Sequence, residues 1–200
     1  LILEYGADKP GDISKLAKNF KLDIAVVTAI GEIPVHVEYF NSPKDLANEK
    51  AELVKILNAW DVVVLNADDE MVIEMGNATK AQISSFGFHS LATVNIDNFK
   101  FRQAENGEPL GVEFELYYLE NKSTVLCKID GSLGKSLAWS AAAAAAVGLE
   151  FGLNPAQINE ALGHCRGPKG RLKILKGIKG SWIIDDTYNS SPQACLSALQ

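Results

Sequence analysis

Through the first third of the chain, short uninterrupted apolar runs alternate with amphipathic stretches. Residues 24–27 (Ile-Ala-Val-Val) and 62–65 (Val-Val-Val-Leu) are continuous and of strand length. That is the pattern of strands covered on both faces in a parallel sheet. The opening residues 1–3 (Leu-Ile-Leu) predict another such strand, short and buried, which delivers Glu4 at its end. Between these runs, Ile13, Leu16, Ala17 and Phe20 recur at spacings of three and four and predict a helix over 12–20. Leu46, Leu53, Val54 and Leu57 do the same over 43–58, with Ser42 as N-cap and Pro43 at the first helical position. Asn66, Ala67, Asp68 and Asp69 end the 62–65 strand and open a helix over 70–75. Strand, helix, strand, helix, strand predicts an α/β fold with a mostly parallel, helix-flanked sheet.

The pattern changes after Ile83. Residues 84–87, 92–96, 99–103, 112–119 and 122–129 read as short strands, with turns at Asn106-Gly107 and over 120–122. Val112, Phe114, Leu116 and Tyr118 alternate with Glu113, Glu115 and Tyr117, so one sheet face is wet. This predicts a smaller antiparallel section attached to the parallel one. Residues 136–151 form a long alanine-rich helix, and Asn154-Pro155 opens a second that runs to Leu162. Residues 172–175 and 181–184 read as a hairpin or a domain-crossing pair, with a turn over 177–180. Asp185-Asp186 and a helix start at Ser191-Pro192 follow. That strand, loop and helix start predict the opening of a second domain.

Composition narrows the class. With 47% hydrophobic and 22% charged residues among 200, the chain can bury a substantial core. A net charge of −6 argues against nucleic-acid binding, which needs a concentrated basic surface. Only Arg166, Lys169, Arg171 and Lys173 cluster mildly. Cys127, Cys165 and Cys195 form no CxxC pair and predict neither a disulfide framework nor a zinc site, as in a reducing cytosol. The most apolar stretch, 141–146, falls short of the roughly 20 residues of a membrane span. No leader Met is present and the last residues stop partway through a helix pattern, so a piece of a longer protein is expected.

Candidate chemistry gathers where the 24–27 strand feeds a polar loop carrying His36 and then a helix carrying Glu49 and Lys50. α/β sheets place their sites at such strand ends. Taken singly, each residue has a plain reading: His36 a surface imidazole, Glu4 an exposed strand-end carboxylate, Glu49 and Lys50 a solvated charged face, Asp68 and Asp69 a helix cap. His89 and His164 read as structural, and Tyr117-Tyr118 as sheet packing. Gly131-Ser132-Leu133-Gly134-Lys135-Ser136 suggests a phosphate loop, but that pattern requires glycine where Ile129 stands. A helix N-terminus with glycine turn chemistry is the better reading.

In order along the chain stand LILEYGADKPGDI, VVTAIGEIPVHVEYFNSPKDLANEKAELV, VVLNADDEMV, the alanine-rich helix and GRLKILKG…WIIDDTYNSSP. Together they resemble the central and early C-terminal parts of the Mur ligase family, most closely its D-alanyl-D-alanine-adding branch. That resemblance implies a division into 1–178, a partial central ATP-binding domain lacking its phosphate loop, and 179–200, the start of a Rossmann-like C-terminal domain. The resemblance implies ATP-dependent amide formation in peptidoglycan precursor synthesis, in the bacterial cytoplasm, by a monomer. Its implied substrates are UDP-N-acetylmuramoyl-tripeptide and D-alanyl-D-alanine, with no nucleic acid and no membrane insertion. Implied cofactors are ATP and Mg2+. Glu4, His36 and Lys50 match the magnesium site, with Lys50 the lysine that is carbamylated. Asn66, Asp68, Asp69, Arg171, Asp186 and Asn189 match the nucleotide side, with Ser190 beside them. The family's phosphate loop and sugar-binding domain would lie upstream of Leu1, so this polypeptide alone is expected to be inactive. Leu133, Gly134 and Leu137 stand where the family carries a histidine and two asparagines. Three alternatives stay open: a sister Mur-type or folylpolyglutamate-synthase-like ligase, a non-catalytic nucleotide-binding paralogue, and an interaction domain with an unused crevice.

Overall fold

The computed structural model describes residues 1–30 and 39–188, together with Cys195 and Ala198. The chain divides into two compact units, Leu1–Phe86 and Gly87–Gln200.

In the first unit β1 (Ile24–Val27), β2 (Val62–Asn66) and β3 (Gln82–Gly87) run parallel, with β2 in the middle. Val63, Val64 and Leu65 are wholly buried, which is why their run shows no alternation. The helices are α1 (Asp12–Ala17), α2 (Pro43–Lys55) and α3 (Glu70–Ile73), the last continuing as a 3-10 turn over Glu74–Ala78. Ser42 caps α2 as expected, its hydroxyl accepting the Asp45 N–H at 3.2 Å. Ile13, Phe40, Val54, Leu65 and Val72 belong to the core between helices and sheet.

Two expectations fail here. Residues 1–3 are no buried strand: Leu1, Ile2 and Leu3 are irregular and exposed. Three apolar residues hold strand geometry only when a neighbouring ladder takes their backbone groups, and no described strand pairs with them. The first helix is also shorter than the 12–20 pattern. The Asn19 side chain takes the Lys15 carbonyl at 3.1 Å and the chain turns, so Ile13 and Ala17 are buried while Leu16 and Phe20 are not.

In the second unit β4 (Val94–Gln103), β5 (Pro109–Tyr118) and β6 (Ser123–Asp130) form an antiparallel meander of longer strands. The expected strands 92–96 and 99–103 are one strand. A bulge between Asp97 and Lys100, with Asn98 at φ 51°, takes up the extra residue that broke the alternation. Val112, Phe114, Leu116 and Tyr118 point inward as predicted. On the wet face Glu113 meets Lys100 at 2.7 Å and Lys128 at 3.3 Å. Helix α4 (Lys135–Glu150) packs on β4 and β5 through Ala138, Ala142, Ala145 and Ala146, whose small side chains allow a close approach. Helix α5 (Pro155–Gly163) opens on a capping box between Asn154 and Gln157. The chain then forms the hairpin of β7 (Lys173–Lys176) and β8 (Trp182–Asp185) around a 3-10 turn, Ile178–Gly180. Of the helix expected after Ser191-Pro192, the described residues Cys195 and Ala198 are helical. No helix among the described residues is long and apolar enough to cross a membrane.

Candidate functional site

Because β1 and β2 are parallel and in register, with Val27 opposite Leu65, their carboxyl ends lie side by side. The chain leaves β1 through Thr28, Ala29 and Ile30, and three predicted site residues take the backbone groups of those three positions. Asn66, the last residue of β2 and buried, donates from Nδ2 to the Thr28 carbonyl at 2.8 Å. Its Oδ1 accepts the Asp68 N–H at 2.9 Å. Lys50 reaches across from α2 and donates from Nζ to the Ala29 carbonyl at 3.0 Å. Asp69 accepts the Ile30 N–H on Oδ2 at 2.8 Å and the Val72 N–H on Oδ1 at 3.1 Å, so it caps α3 and braces the exit of β1 together.

Burial lowers the Lys50 pKa from its ordinary value, and the Asp69 charge works against that lowering. A half-buried amine with a depressed pKa is easier to hold neutral and hence nucleophilic than a surface lysine. Asp69 and Asn66 are fully engaged with backbone. Their work in this arrangement is to fix the strand ends, while Asp68 stands exposed at the turn between them.

Glu49, the neighbour of Lys50, was not expected to matter, and it is the best-buried carboxylate on α2. It accepts the Gly11 N–H on Oε2 at 2.8 Å and the Ile13 N–H on Oε1 at 2.9 Å. Gly11 gives α1 no side-chain cap, so its orphan N–H groups take this acceptor from another helix. The sign was in the sequence. Glu49 is three residues after Leu46 and four before Leu53, on the inward stripe of α2, and a glycine N-cap leaves donors unmet.

Glu4 lies in the exposed irregular run, and His36 lies outside the described residues. Among the described residues, no group of three or more His, Cys, Asp or Glu side chains lies where it could hold a metal ion. The described donors therefore do not make up a magnesium site by themselves.

A second pair of predicted residues is brought together in the other unit. Asp186 Oδ1 accepts the Leu172 N–H at 3.2 Å, next to Arg171, whose guanidinium stacks over the Tyr188 ring at 4.5 Å. Asn189 lies outside the described residues. In the Gly131–Ser136 segment two backbone donors are taken: Gly131 donates its N–H to the Leu110 carbonyl at 2.8 Å and Leu133 to the Leu172 carbonyl at 2.9 Å, and α4 starts at Lys135 with Gly134 as N-cap.

Residues 1–148 match the family described as the Mur ligase middle domain. The chain belongs to the Mur ligase family. Among curated relatives it is 31% identical over 205 residues to the UDP-N-acetylmuramoyl-tripeptide--D-alanyl-D-alanine ligase of Mycobacterium leprae, covering 100% of this chain and 39% of that protein. It is 30% identical over 199 residues to the Bacillus subtilis protein of the same name, covering 100% of this chain and 40% of that one. Among solved structures, MurF from Acinetobacter baumannii superposes with a TM-score of 0.79 at 25% identity, over 96% of this chain and 40% of that chain. MurF from Thermotoga maritima, solved in complex with ADP, shares the fold with a TM-score of 0.83 at 24% identity, over 100% of this chain and 43% of that one. This Mur ligase chain thus spans about two fifths of the curated relatives it matches.

Proposed function

We propose that the chain is the greater part of the central ATP-binding domain, over 1–178, and the beginning of the C-terminal domain, over 179–200, of a ligase that adds D-alanyl-D-alanine to UDP-N-acetylmuramoyl-tripeptide. The observation that carries this reading is the convergence of Lys50, Asn66 and Asp69 on three consecutive backbone positions at the β1 exit, in a chain of this family. The relatives' shared activity name supports the choice of substrates.

In the complete protein the tripeptide carboxylate attacks the γ-phosphate of ATP and ADP leaves. The amine of D-alanyl-D-alanine then attacks the acyl carbon of the resulting acyl phosphate, phosphate leaves and the nitrogen gives up a proton as the amide forms. Positioning and charge neutralisation dominate such phosphoryl transfer. Arg171 and Asp186, with Asn189, are proposed to meet the nucleotide, Arg171 as a fixed cation and Asp186 as an acceptor for a ribose hydroxyl. Asn66, Asp68 and Asp69 are likewise proposed to serve the nucleotide, Asn66 and Asp69 by bracing the strand ends. Magnesium is proposed to be held by Glu4, His36 and a carbamate on Lys50; burial of the Lys50 amine favours that modification by keeping more of it uncharged. The protein is proposed to act in the cytoplasm as a monomer.

The test is ADP and phosphate release by the complete protein. Release should need both the tripeptide nucleotide and D-alanyl-D-alanine, and Lys50→Ala should abolish it. Turnover that ignores the dipeptide would reject the substrate assignment, whereas ligation by the 200-residue chain alone would reject the proposed division of labour. A second reading, a non-catalytic nucleotide-binding paralogue, is favoured by one observation. At 133–137 the chain carries Leu133, Gly134 and Leu137 packed toward Gly167 and Leu172, in place of polar side chains. Absence of any magnesium-dependent turnover in the complete protein would decide for it.

A further inference from the structure

The turn that carries Arg171 is bent against its own sequence. Leu172 has φ 47°, a left-handed backbone conformation that is uncommon for a large apolar residue and free for glycine. Such outliers persist only where the surroundings over-determine them, and they gather at ligand clamps. Here three contacts do so. The Leu172 N–H donates to Asp186 Oδ1 at 3.2 Å, its carbonyl accepts the Leu133 N–H at 2.9 Å, and its side chain fills the space beside Gly134. A Cβ on Gly134, itself at φ 99°, would lie 2.5 Å from Leu172 Cδ1, so the leucine side chain rests directly on the glycine. Two residues earlier, Gly170 at φ 68° accepts the Tyr188 N–H at 3.0 Å, and Arg171 stacks on the Tyr188 ring. β7 begins at Lys173, immediately after this turn. Instead of extending the hairpin backwards, the chain turns at 172, and Arg171 comes to rest beside the Asp186 segment.

We propose that Leu172 is a positioning residue: its left-handed backbone, locked by Asp186, Leu133 and Gly134, holds the Arg171 guanidinium and the Asp186 carboxylate in one arrangement for a nucleotide. The proposal rests on the reading that Arg171 and Asp186 serve a nucleotide. It separates backbone conformation from packing, because the two make opposite demands on position 172. Glycine keeps the left-handed turn and loses the apolar contact. Valine keeps most of the contact and resists the turn, being β-branched.

The experiment compares Leu172→Gly and Leu172→Val in the complete protein, reading ADP affinity by calorimetry and amide exchange at Tyr188, whose N–H reports the Gly170 contact. The expected order is ADP binding near wild type for Leu172→Gly and about tenfold weaker for Leu172→Val, with faster Tyr188 exchange in the latter. The reverse order, or unchanged Tyr188 exchange in folded Leu172→Val, overturns the proposal. If Leu172→Val does not fold, Leu172→Asn against Leu172→Ala asks the same question, since Asn tolerates left-handed backbone and Ala does not. Asn binding better than Ala supports the proposal, and the converse overturns it. Arg171→Ala is the control on the underlying reading. Should it leave ADP affinity unchanged, the nucleotide role fails, while Tyr188 exchange still judges Leu172.

Discussion

Lys50 and Asp69 hold opposite poles of a single peptide group. The Ala29 carbonyl accepts from Lys50 Nζ at 3.0 Å, and the Ile30 N–H of the same peptide donates to Asp69 at 2.8 Å. A cation on the oxygen side and a carboxylate on the nitrogen side both follow the peptide dipole, so each charge is stabilised by the group it grips. The clamp ties α2 and the turn after β2 to the exit of β1. It leaves Lys50 half-buried, next to an anion that is itself fully occupied.

That burial predicts a pH dependence. The Lys50 pKa in the folded chain lies below its ordinary 10.5, chiefly through desolvation, so between the two values the unfolded chain binds more protons than the folded one. Stability should rise with pH through that window, reach its full contribution above 10.5, and be lost as pH falls through the folded value. Lys50→Met removes the group. The stability difference between Lys50→Met and wild type, measured by denaturant unfolding from neutral pH upward, should therefore change steadily in favour of wild type. A constant difference would mean that Lys50 titrates as a surface amine.

Asp69 carries both the clamp and the cap of α3. Replacing it with Ala removes acceptors for two backbone N–H groups and should cost about 2–3 kcal/mol in denaturant unfolding. Asp69→Asn keeps one carbonyl acceptor and should cost about half of that. Equal losses for the two variants would show that charge, rather than acceptor number, is what Asp69 supplies.

Glu49→Ala should be at least as damaging, at about 2–4 kcal/mol, because it strands the Gly11 and Ile13 N–H groups at the start of α1. Glu49→Gln, which retains one acceptor oxygen, should recover part of the loss. Hydrogen exchange at Ile13 gives the local reading: it should accelerate in Glu49→Ala ahead of the core of β2.

Much of this was legible in the chain because it is local. The runs at 24–27 and 62–65, the Ser42-Pro43 start of α2 and the alternation through Val112, Phe114, Leu116 and Tyr118 each follow from neighbours within a few residues. What was not legible depended on distant partners. Glu49 looked like half of a solvated pair because its partners are 38 and 36 residues away in α1. Leu1–Leu3 looked buried because an apolar triplet does not say whether a ladder receives it. Asn98 split one strand into two because a bulge breaks the alternation without ending the pairing. At the site, the family motifs marked Lys50, Asn66 and Asp69. Their grip on residues 28–30 came only with the register of β1 against β2.

Gly111 offers a test of the antiparallel unit. It sits on β5 at φ 153°, and a Cβ there would lie 2.1 Å from the Ile129 carbonyl oxygen on β6. The nearest atoms are all backbone of Ile129 and Asp130, so no flexible side chain can give way. Gly111→Ala should lower the unfolding free energy by about 2–3 kcal/mol, through strain and a displaced β5–β6 ladder. Amide exchange should rise at Gly131, which donates to Leu110 next door. A substitution tolerated within error would show that the two strands can separate there without cost.

Tyr118 gives the opposite expectation. It is almost wholly buried on the core face of β5, and its hydroxyl has no hydrogen-bond partner among the described residues. The same burial pushes its ionisation well above the usual tyrosine range, with the nearby Cys127 adding to the effect. An unmet buried hydroxyl costs about 1–3 kcal/mol, while the ring supplies the packing. Tyr118→Phe removes the first and keeps the second, so it should raise the denaturation midpoint by an amount worth about 1 kcal/mol. Tyr118→Ala should lose about 3–5 kcal/mol by emptying the ring's volume. If Tyr118→Phe instead destabilises, the hydroxyl has a hydrogen-bond partner in the folded chain, and the Tyr118 hydroxyl proton should then exchange slowly in the wild-type spectrum.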